Sequence, residues 1–551
     1  MAVRSNLSNA EIGAASPKVF ARVRTTLEAA YYGNNVQKVT TLQEAYELAK
    51  NCSGTVVLDQ KVARGEELGL SKDAHVLLFN DGGVTGRNAN LRKLYDASNK
   101  KDADGYTKML REAMFNTSRK KMYWAQAYVG LDKDFMVKAN LLVPEGYENT
   151  LYNWLLNFQI CNAKWDKIYA KSKKYDDGEI FLVTDPDQYP ADYQNGIAFF
   201  AEEENAGCLL GLRYFGEHKK ATLTLAWSMA ARHGYTACHG GQKRFDEYGK
   251  VIGVFGLSGS GKSTITLSNH GGKLKTTVLH DDAFVISNAD GSSVSMEPSY
   301  FDKTADYPLT NPQDKFFLTI QNTGVTTNNK GEVVPVTEDV RNGNGRTVKS
   351  IFATKNRVYK FPQPCNAIFW IMKDNSLPPV VKIDSPALGS AMGATLSTMR
   401  STAEVVKESE VGKLIIEPYA NPFRLYKLEK DFNKFKDLFE HRGVQNYIIN
   451  TGFFLEKKVT KEVTLGLIET IVKDKNNAAD KFVPFGPIEH MTYMPIEGFI
   501  PDFKNAEYKE LIKSRMLGRI DTMEKRAALT PNDTLPEEAK AAIRAVAKCI
   551  K

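Results

Sequence analysis

The chain has 551 residues, 42% hydrophobic and 25% charged, which is typical of a globular protein with two to four domains. Its 73 basic and 65 acidic residues leave a net charge of +8, and no long basic block with interleaved aromatic residues occurs, so neither composition nor charge pattern favours nucleic-acid binding. No apolar run reaches the roughly 20 residues that a membrane helix needs, and no signal peptide is evident, so a membrane partner is not expected.

The predicted elements are short in the first half of the chain and stay short in the second. Helices are expected at 41–50 and 221–232, and buried strands at 56–58, 76–79, 181–183 and 197–200. Further strands are expected at 276–279, 283–286, 316–320, 367–371 and 445–449. Few long helices separate them, so the pattern predicts a mixed α/β (α+β) fold with much antiparallel structure rather than a doubly wound sheet.

Two segments in the second half of the chain have distinctive sequences. Residues 385–404 are dominated by small side chains and include Gly389 and Gly393, which is compatible with a poorly packed helix or a mobile lid. A helix is expected at 535–550, with Asp533-Thr534 as caps and a proline in its first turn.

The most specific motif is G-L-S-G-S-G-K-S at 256–263, directly after the apolar run 251–255. It matches the phosphate-binding loop G-x-x-x-x-G-K-[ST], in which glycines allow backbone N–H groups to surround a phosphate and the lysine adds positive charge. A Gly-rich turn that binds nothing is the alternative, and the preceding strand argues against it. The residues expected to contact the nucleotide phosphates are Gly256, Leu257, Ser258, Gly259, Ser260, Gly261, Lys262, Ser263 and Thr264.

Polar residues flank this loop at regular intervals. His239 precedes it in A-C-H-G-G, Lys220 stands earlier in Y-F-G-E-H-K-K, and Asp281-Asp282 follows an apolar strand. Paired acids at a strand end suit the metal that accompanies a nucleotide. Taken singly, a histidine is usually structural, a lysine solvated and an Asp-Asp pair a cap.

Together these motifs, in this order, resemble those of ATP-dependent phosphoenolpyruvate carboxykinase, in a divergent form. The resemblance extends through T-G-R at Arg87, N-R-V at Arg357 and N-T-G at 450–452, so that it spans roughly residues 82–465. It implies an N-terminal substrate-binding domain at 1–234 and a C-terminal nucleotide-binding domain at 235–551, with a lid near 385–404 and the active site between the domains.

The implied reaction converts oxaloacetate and ATP to phosphoenolpyruvate, CO2 and ADP. The resemblance implies Mn2+ on Lys220, His239 and Asp282, and Mg2+ with ATP on Ser263. A lysine ligates a metal only as the neutral amine, which the neighbouring charges of Lys219 and Lys262 would favour. The other roles implied are these: substrate contacts from Arg87 and Tyr214, charge neutralisation by Arg357, a ligand-orienting carboxylate at Asp281, and nucleotide contacts from Glu297 and Thr464.

Some positions depart from the family pattern. T-G-R is followed by N-A-N rather than S-P-K, and the acidic pair lacks its usual tryptophan. After N-T-G the chain has lysines where the family has a base-contacting arginine, and lysine does not replace the planar guanidinium. A kinase for another small-molecule or protein acceptor, a nucleotide-binding regulator without turnover, and a GTP-dependent carboxykinase are the alternatives.

Six scattered cysteines without a C-x-x-C pair argue against a zinc site or a disulfide framework and favour a reducing compartment, with the cytoplasm as default. The expected partners are small molecules, namely oxaloacetate or phosphoenolpyruvate, CO2 and ATP or ADP. No motif bears on the oligomeric state, and a monomer is the default expectation.

Overall fold

The computed structural model describes residues 22–82, 91–175, 177–257, 259–308, 311–337, 345–399 and 414–550. The chain divides into two compact units. The first contains the described residues up to Met229 together with Met296–Lys355, and the second contains Ala230–Ser295 and the described residues from Asn356 onward.

The strands of the described residues, in chain order, are β1 (Val36–Val39), β2 (Val56–Lys61), β3 (His75–Phe79), β4 (Arg92–Leu94), β5 (Met122–Asp132), β6 (Phe135–Pro144), β7 (Gln159–Ile160), β8 (Ile180–Asp185), β9 (Ile197–Ala201), β10 (Ala206–Leu210), β11 (Tyr235–His239), β12 (Gly241–Phe245), β13 (Lys250–Phe255), β14 (Thr276–His280), β15 (Ala283–Ser287), β16 (Ser293–Ser295), β17 (Tyr300–Lys303), β18 (Phe317–Gln321), β19 (Gly324–Thr327), β20 (Val333–Val336), β21 (Arg346–Lys349), β22 (Lys360–Phe361), β23 (Ala367–Met372), β24 (Val380–Ile383), β25 (Ser397–Met399), β26 (Leu414–Ile416), β27 (Gln445–Asn450), β28 (Phe453–Phe454), β29 (Lys457–Lys458), β30 (Val483–Pro484) and β31 (Met491–Tyr493).

The α-helices of the same residues are α1 (Arg22–Ala29), α2 (Leu42–Asn51), α3 (Gly65–Leu68), α4 (Lys100–Thr117), α5 (Glu148–Asn157), α6 (Ala163–Ala170), α7 (Phe215–Arg232), α8 (Lys262–Leu267), α9 (Pro386–Ala394), α10 (Leu428–His441), α11 (Lys461–Lys473), α12 (Ala506–Leu529) and α13 (Glu537–Cys549). None is long and apolar enough, within the part of the chain that is described, to cross a membrane.

Two mixed sheets form the first unit. The larger has the strand order β1-β5-β6-β8-β10-β9-β4, with β7 paired to β5. The smaller has the order β17-β21-β18-β3-β2. Because β18 pairs in parallel with β3, the segment Met296–Lys355 joins the first unit. The sequence predicted one division at 234/235, and it could not anticipate a later segment whose strands complete a sheet begun before residue 80.

The second unit is built on a mixed sheet with the order β14-β12-β13-β23-β27-β24-β31-β30, beside an antiparallel sheet β11-β15-β16-β22. The apolar run at 251–255 forms β13, which lies between antiparallel β12 and parallel β23. Strands expected at 367–371 and 445–449 are β23 and β27, and they pair in parallel. The mixed α/β class expected from the sequence is confirmed.

Over the residues that can be described, the small-residue segment forms a buried helix rather than a poorly packed one. Helix α9 is buried from Leu388 to Ala394. A β-carbon added at Gly393 would lie 2.6 Å from the Trp370 ring and 2.7 Å from the Tyr419 ring. The small residues thus let the helix approach two aromatic rings closely. Residues 400–404 of the predicted lid lie outside the described ranges.

The C-terminal helix exists, but its predicted cap is wrong. Helix α13 begins at Glu537, and Pro536 occupies the cap position without a side-chain cap hydrogen bond. The carboxylate of Asp533 instead forms ion pairs with Arg424 and Arg526. The Asp533 carboxylate is therefore engaged by two guanidinium groups, and the cap position falls three residues later.

Candidate active site

The phosphate loop connects β13 to the six-residue helix α8. Gly259 and Gly261 have φ of 75° and 98°, a left-handed conformation that glycine adopts without steric cost. A β-carbon added at Gly256 would lie 2.4 Å from Ser260 Oγ and 2.9 Å from the Ile371 β-carbon. The glycines at these positions are therefore required by the backbone path. Ser258 lies outside the described residues.

The charged and hydroxyl groups of the loop stand at the start of α8. Lys262 Nζ donates a hydrogen bond to the main-chain carbonyl oxygen of Asp281. Ser263 and Thr264 are exposed. The hydroxyl of Thr451, in the N-T-G motif, donates to the carbonyl oxygen of Ser260 at 2.8 Å. The loop is thus tied both to the acidic pair and to the strand end after β27.

His239 and Asp282 meet at the end of the antiparallel sheet. His239, the last residue of β11, pairs in register with Ala283 of β15, which places its ring beside the preceding aspartate. His239 Nε2 and Asp282 Oδ1 are 3.0 Å apart. The N–H of Gly240 donates to the Asp282 carbonyl oxygen at 3.0 Å and fixes the turn.

The tautomer of His239 follows from its second contact. Nδ1 carries the proton, because it hydrogen-bonds to the carbonyl oxygen of Ala420, which can only accept. In the neutral ring the Nε2 lone pair then faces the carboxylate of Asp282, so the pair favours a cation, either a proton or a metal ion. An imidazole nitrogen and a carboxylate oxygen are donor types that divalent metal ions bind.

The carbonyl that orients His239 belongs to a strained turn. Tyr419 and Ala420 have φ of 52° and 53°, and both are buried. Two consecutive non-glycine residues in this region cost roughly 1–2 kcal/mol each. Sequence reasoning missed Ala420, because E-P-Y-A-N-P carries no glycine to signal a left-handed turn.

Arg357 lies beside the end of β14. Its backbone bridges to Val278 of β14, and its Nε donates to the carbonyl oxygen of Leu279. Nη2 donates to Ser295 Oγ at 3.1 Å. The second unit therefore brings together five of the predicted site residues, namely His239, Lys262, Asp281, Asp282 and Arg357.

Tyr214, Lys219, Lys220 and Glu297 belong to the first unit. Tyr214 precedes α7, and burial raises the pKa of its hydroxyl, which hydrogen-bonds to Arg346. Lys219 Nζ and Glu297 Oε1 form a fully buried ion pair at 2.9 Å. Sequence reasoning gave these two residues separate roles, whereas the structure pairs their charges.

Lys220 and Thr464 complete the predicted residues that can be described. Lys220 Nζ lies 5.8 Å from the centre of the Trp227 ring on the same helix. Thr464 is buried on α11, and its hydroxyl donates to the carbonyl oxygen of Thr460 at 3.2 Å. Arg87 lies outside the described residues.

The sequence as a whole matches a known family model. The model described as phosphoenolpyruvate carboxykinase matches residues 47–484, which is most of the chain. The chain belongs to the phosphoenolpyruvate carboxykinase family. A similar protein, phosphoenolpyruvate carboxykinase (ATP) of Aeropyrum pernix, is 23% identical over 419 residues, or 72% of this chain and 80% of the relative. Phosphoenolpyruvate carboxykinase (ATP) of Dictyostelium discoideum is 24% identical over 157 residues, or 27% of this chain and 26% of that protein.

The identity to both relatives is low. One departure can be followed in the structure. Lys457, which comes after the N-T-G motif, donates to the carbonyl oxygen of Glu497 at 3.3 Å and lies 4.7 Å from the centre of the Phe499 ring. Its amine is therefore engaged within the second unit.

A metal site made of His, Cys, Asp and Glu alone is not found among the residues that can be described, where no three such side chains cluster. The His239–Asp282 pair offers one nitrogen donor and one oxygen donor.

Proposed function

We propose that this carboxykinase-family chain catalyses the reversible, ATP-dependent decarboxylation and phosphorylation of oxaloacetate to phosphoenolpyruvate, CO2 and ADP, in a gluconeogenic or anaplerotic role. One observation carries the proposal. The turn Asp281-Asp282 accepts a hydrogen bond from Lys262 of the phosphate loop at the carbonyl of its first residue and places the carboxylate of its second residue 3.0 Å from His239 Nε2. The lysine of the phosphate loop and the cation-favouring pair are thus connected to adjacent residues of one turn, which supports transfer of a phosphoryl group to a nearby anionic oxygen.

Two cations are proposed, Mn2+ held by Lys220, His239 and Asp282, and Mg2+ held with ATP at Ser263. The bound cations supply positive charge where oxygen atoms become negative during the reaction. The contact between His239 and Asp282 supports this assignment, and the nitrogen and carboxylate donors suit a divalent ion.

The proposed roles of the chain follow from the electron flow. Loss of CO2 breaks a carbon–carbon bond of oxaloacetate and leaves its electron pair as an enolate, whose oxygen then attacks the γ-phosphorus of ATP as ADP departs. Arg87 and Tyr214 hold the substrate. Lys262 and Arg357 neutralise the transferring phosphoryl group, which is the main protein contribution in such reactions.

The remaining proposed roles are to orient or balance the charged groups of the site and to contact the nucleotide. Asp281 orients the loop lysine through its carbonyl oxygen. Lys219 is proposed to act beside Lys220, with its charge balanced by Glu297. Glu297 and Thr464 are proposed as nucleotide contacts from the resemblance alone. In the structure Glu297 is ion-paired with Lys219, and the Thr464 hydroxyl donates to the carbonyl oxygen of Thr460, the residue before α11. All six cysteines are free, which supports a cytoplasmic location.

The deciding experiment incubates the purified chain with oxaloacetate, ATP, Mg2+ and Mn2+ and measures phosphoenolpyruvate and ADP. Equal amounts of the two products are expected. The variant His239→Gln should lose at least 100-fold in rate, whereas the control His441→Gln, at an exposed histidine paired with Asp437, should keep the wild-type rate. ADP formed without phosphoenolpyruvate would instead favour a kinase, and binding of ATP without any product would favour a regulator.

A further inference from the structure

A buried lysine lies behind the phosphate loop, outside the residues assigned above. Lys243 is in the middle of β12, between β13 and β14, and its side chain is fully inaccessible to solvent. A buried ammonium is costly unless its hydrogen-bonding capacity is satisfied. The groups that contact the Lys243 amine therefore indicate the function of this buried charge.

Three acceptors surround the Lys243 amine. Its Nζ is 2.5 Å from the carbonyl oxygen of Ile265, 3.2 Å from that of Ser268 and 3.0 Å from His270 Nε2. An ammonium has three N–H groups and a neutral amine only two, so three acceptors fit the charged form. The two carbonyls come from the last turn of α8 and the residue after it, where helix carbonyls lack intrahelical partners and favour a cation.

His270 extends the contact to another helix. Its Nε2 accepts from Lys243, so the proton lies on Nδ1, which donates to Glu469 Oε1 on α11 at 3.0 Å. Glu469 Oε2 is also 3.2 Å from Lys473 Nζ. Burial lowers the pKa of His270 to about 4, which keeps the ring neutral in this chain. The positive charge of Lys243 is thus balanced through the ring by a carboxylate.

A second contact between β12 and α8 also fixes the position of α8. A β-carbon added at Gly241 would lie 2.0 Å from Thr266 Oγ1, so α8 approaches the strand as closely as a glycine permits. The Thr266 hydroxyl donates in turn to the carbonyl oxygen of Lys262 at 2.9 Å. A helix of six residues is not stable by itself and takes its position from such tertiary contacts.

We propose that Lys243 is a positioning residue for nucleotide binding: its buried ammonium, balanced through His270 by Glu469, fastens the end of α8 and so holds Lys262 and Ser263 at the phosphates. This inference rests on the proposed function, because it requires that the loop bind ATP. Under this proposal the position of the loop residues is fixed by an interior lysine, because the glycine-rich backbone of the loop does not fix it by itself.

The test compares Lys243→Met, which keeps the length of the side chain and removes its charge, with Arg24→Met. Arg24 is an equally buried cation of the first unit, and it donates to the carbonyl oxygens of Glu179 and Glu204 at 2.8 and 3.0 Å. Both variants should lower the melting temperature. The dissociation constant of MgATP, measured at pH 6 by calorimetry well below both melting temperatures, should rise at least tenfold for Lys243→Met and stay within twofold for Arg24→Met.

The kinetic constants give a second readout. The KM for ATP should rise in Lys243→Met, with the KM for oxaloacetate unchanged, which general loosening of the fold would not produce. Should Lys243→Met not fold, His270→Phe removes one acceptor and should weaken MgATP binding at least threefold. Wild-type affinity in the folded variants would overturn the inference. Absence of MgATP binding by the wild-type chain would overturn the proposed function itself.

Discussion

The packing of α9 can be tested with a single methyl group. In Gly393→Ala the added carbon would lie 2.6 Å from Trp370 and 2.7 Å from Tyr419, and both rings are fully buried and cannot move aside freely. Gly466→Ala is the matched control, because Gly466 is an exposed position of α11 with no atom within 4 Å of the added carbon. Alanine favours either helix by about 1 kcal/mol over glycine.

The difference between the two variants isolates the packing effect, since the helix-propensity gain cancels. Overpacking of this kind costs about 1–3 kcal/mol. Gly466→Ala should therefore raise the melting temperature, and Gly393→Ala should melt several degrees below it, at about 2–4 °C per kcal/mol, the range typical of domains of roughly 150–250 residues. Differential scanning calorimetry measures both. If the two variants melt together, α9 does not pack against these rings, and the segment is accessible as a lid would be.

Three further predictions concern the site and its support. Lys220→Ala and His239→Ala should each reduce turnover at least 100-fold while the MgATP dissociation constant stays within threefold, and near wild-type turnover in Mn2+ would refute their assignment as ligands. Gly256→Ala, whose added carbon would meet Ser260 Oγ at 2.4 Å, should weaken MgATP binding at least tenfold in calorimetry, and unchanged affinity would contradict the loop geometry. Burial lowers the pKa of Lys243 from 10.5 to about 7, so the ammonium that fastens α8 is retained below pH 7 and loses its proton above it. Between pH 7 and 10.5 the unfolded chain therefore binds one more proton at this residue than the folded chain, and the residue's contribution to stability rises with pH by up to about 1.4 kcal/mol per pH unit. Chemical denaturation from pH 7 to 10 should show a steeper rise in the wild type than in Lys243→Met, and parallel curves would refute it.

The elements that the sequence predicts well are those whose signal is local. Buried strand β23 is a continuous apolar run, and the phosphate loop is a backbone motif that its glycines specify directly. The partition into units is not local, because β18 completes a sheet with β3 across more than 200 residues of chain. Side-chain pairing is equally non-local, and the ion pair between Lys219 and Glu297 has no signal in the spacing of the two residues.

The residues of the candidate site show the same distinction between local and non-local sequence signals. His239 and Asp282 are identified by motif, but their contact depends on the register that sets His239 opposite Ala283. Lys243 and His270 carry no motif, and a single lysine in an alternating strand is ordinarily solvated. Its buried position follows from the two strands that flank β12, which only the completed sheet reveals.

The Asp281-Asp282 turn connects these observations. The main-chain carbonyl of Asp281 accepts a hydrogen bond from Lys262, whereas the side chain of Asp282 lies beside His239. Two adjacent residues of the turn thus contact the phosphate loop and the histidine through different groups. Because the turn is short, a shift of the loop moves the carboxylate beside His239 as well. A rigid mount for α8 therefore benefits both halves of the site. The charge buried at Lys243 is consistent with selection for geometry at the turn, since an apolar side chain would fill the same interior at lower cost.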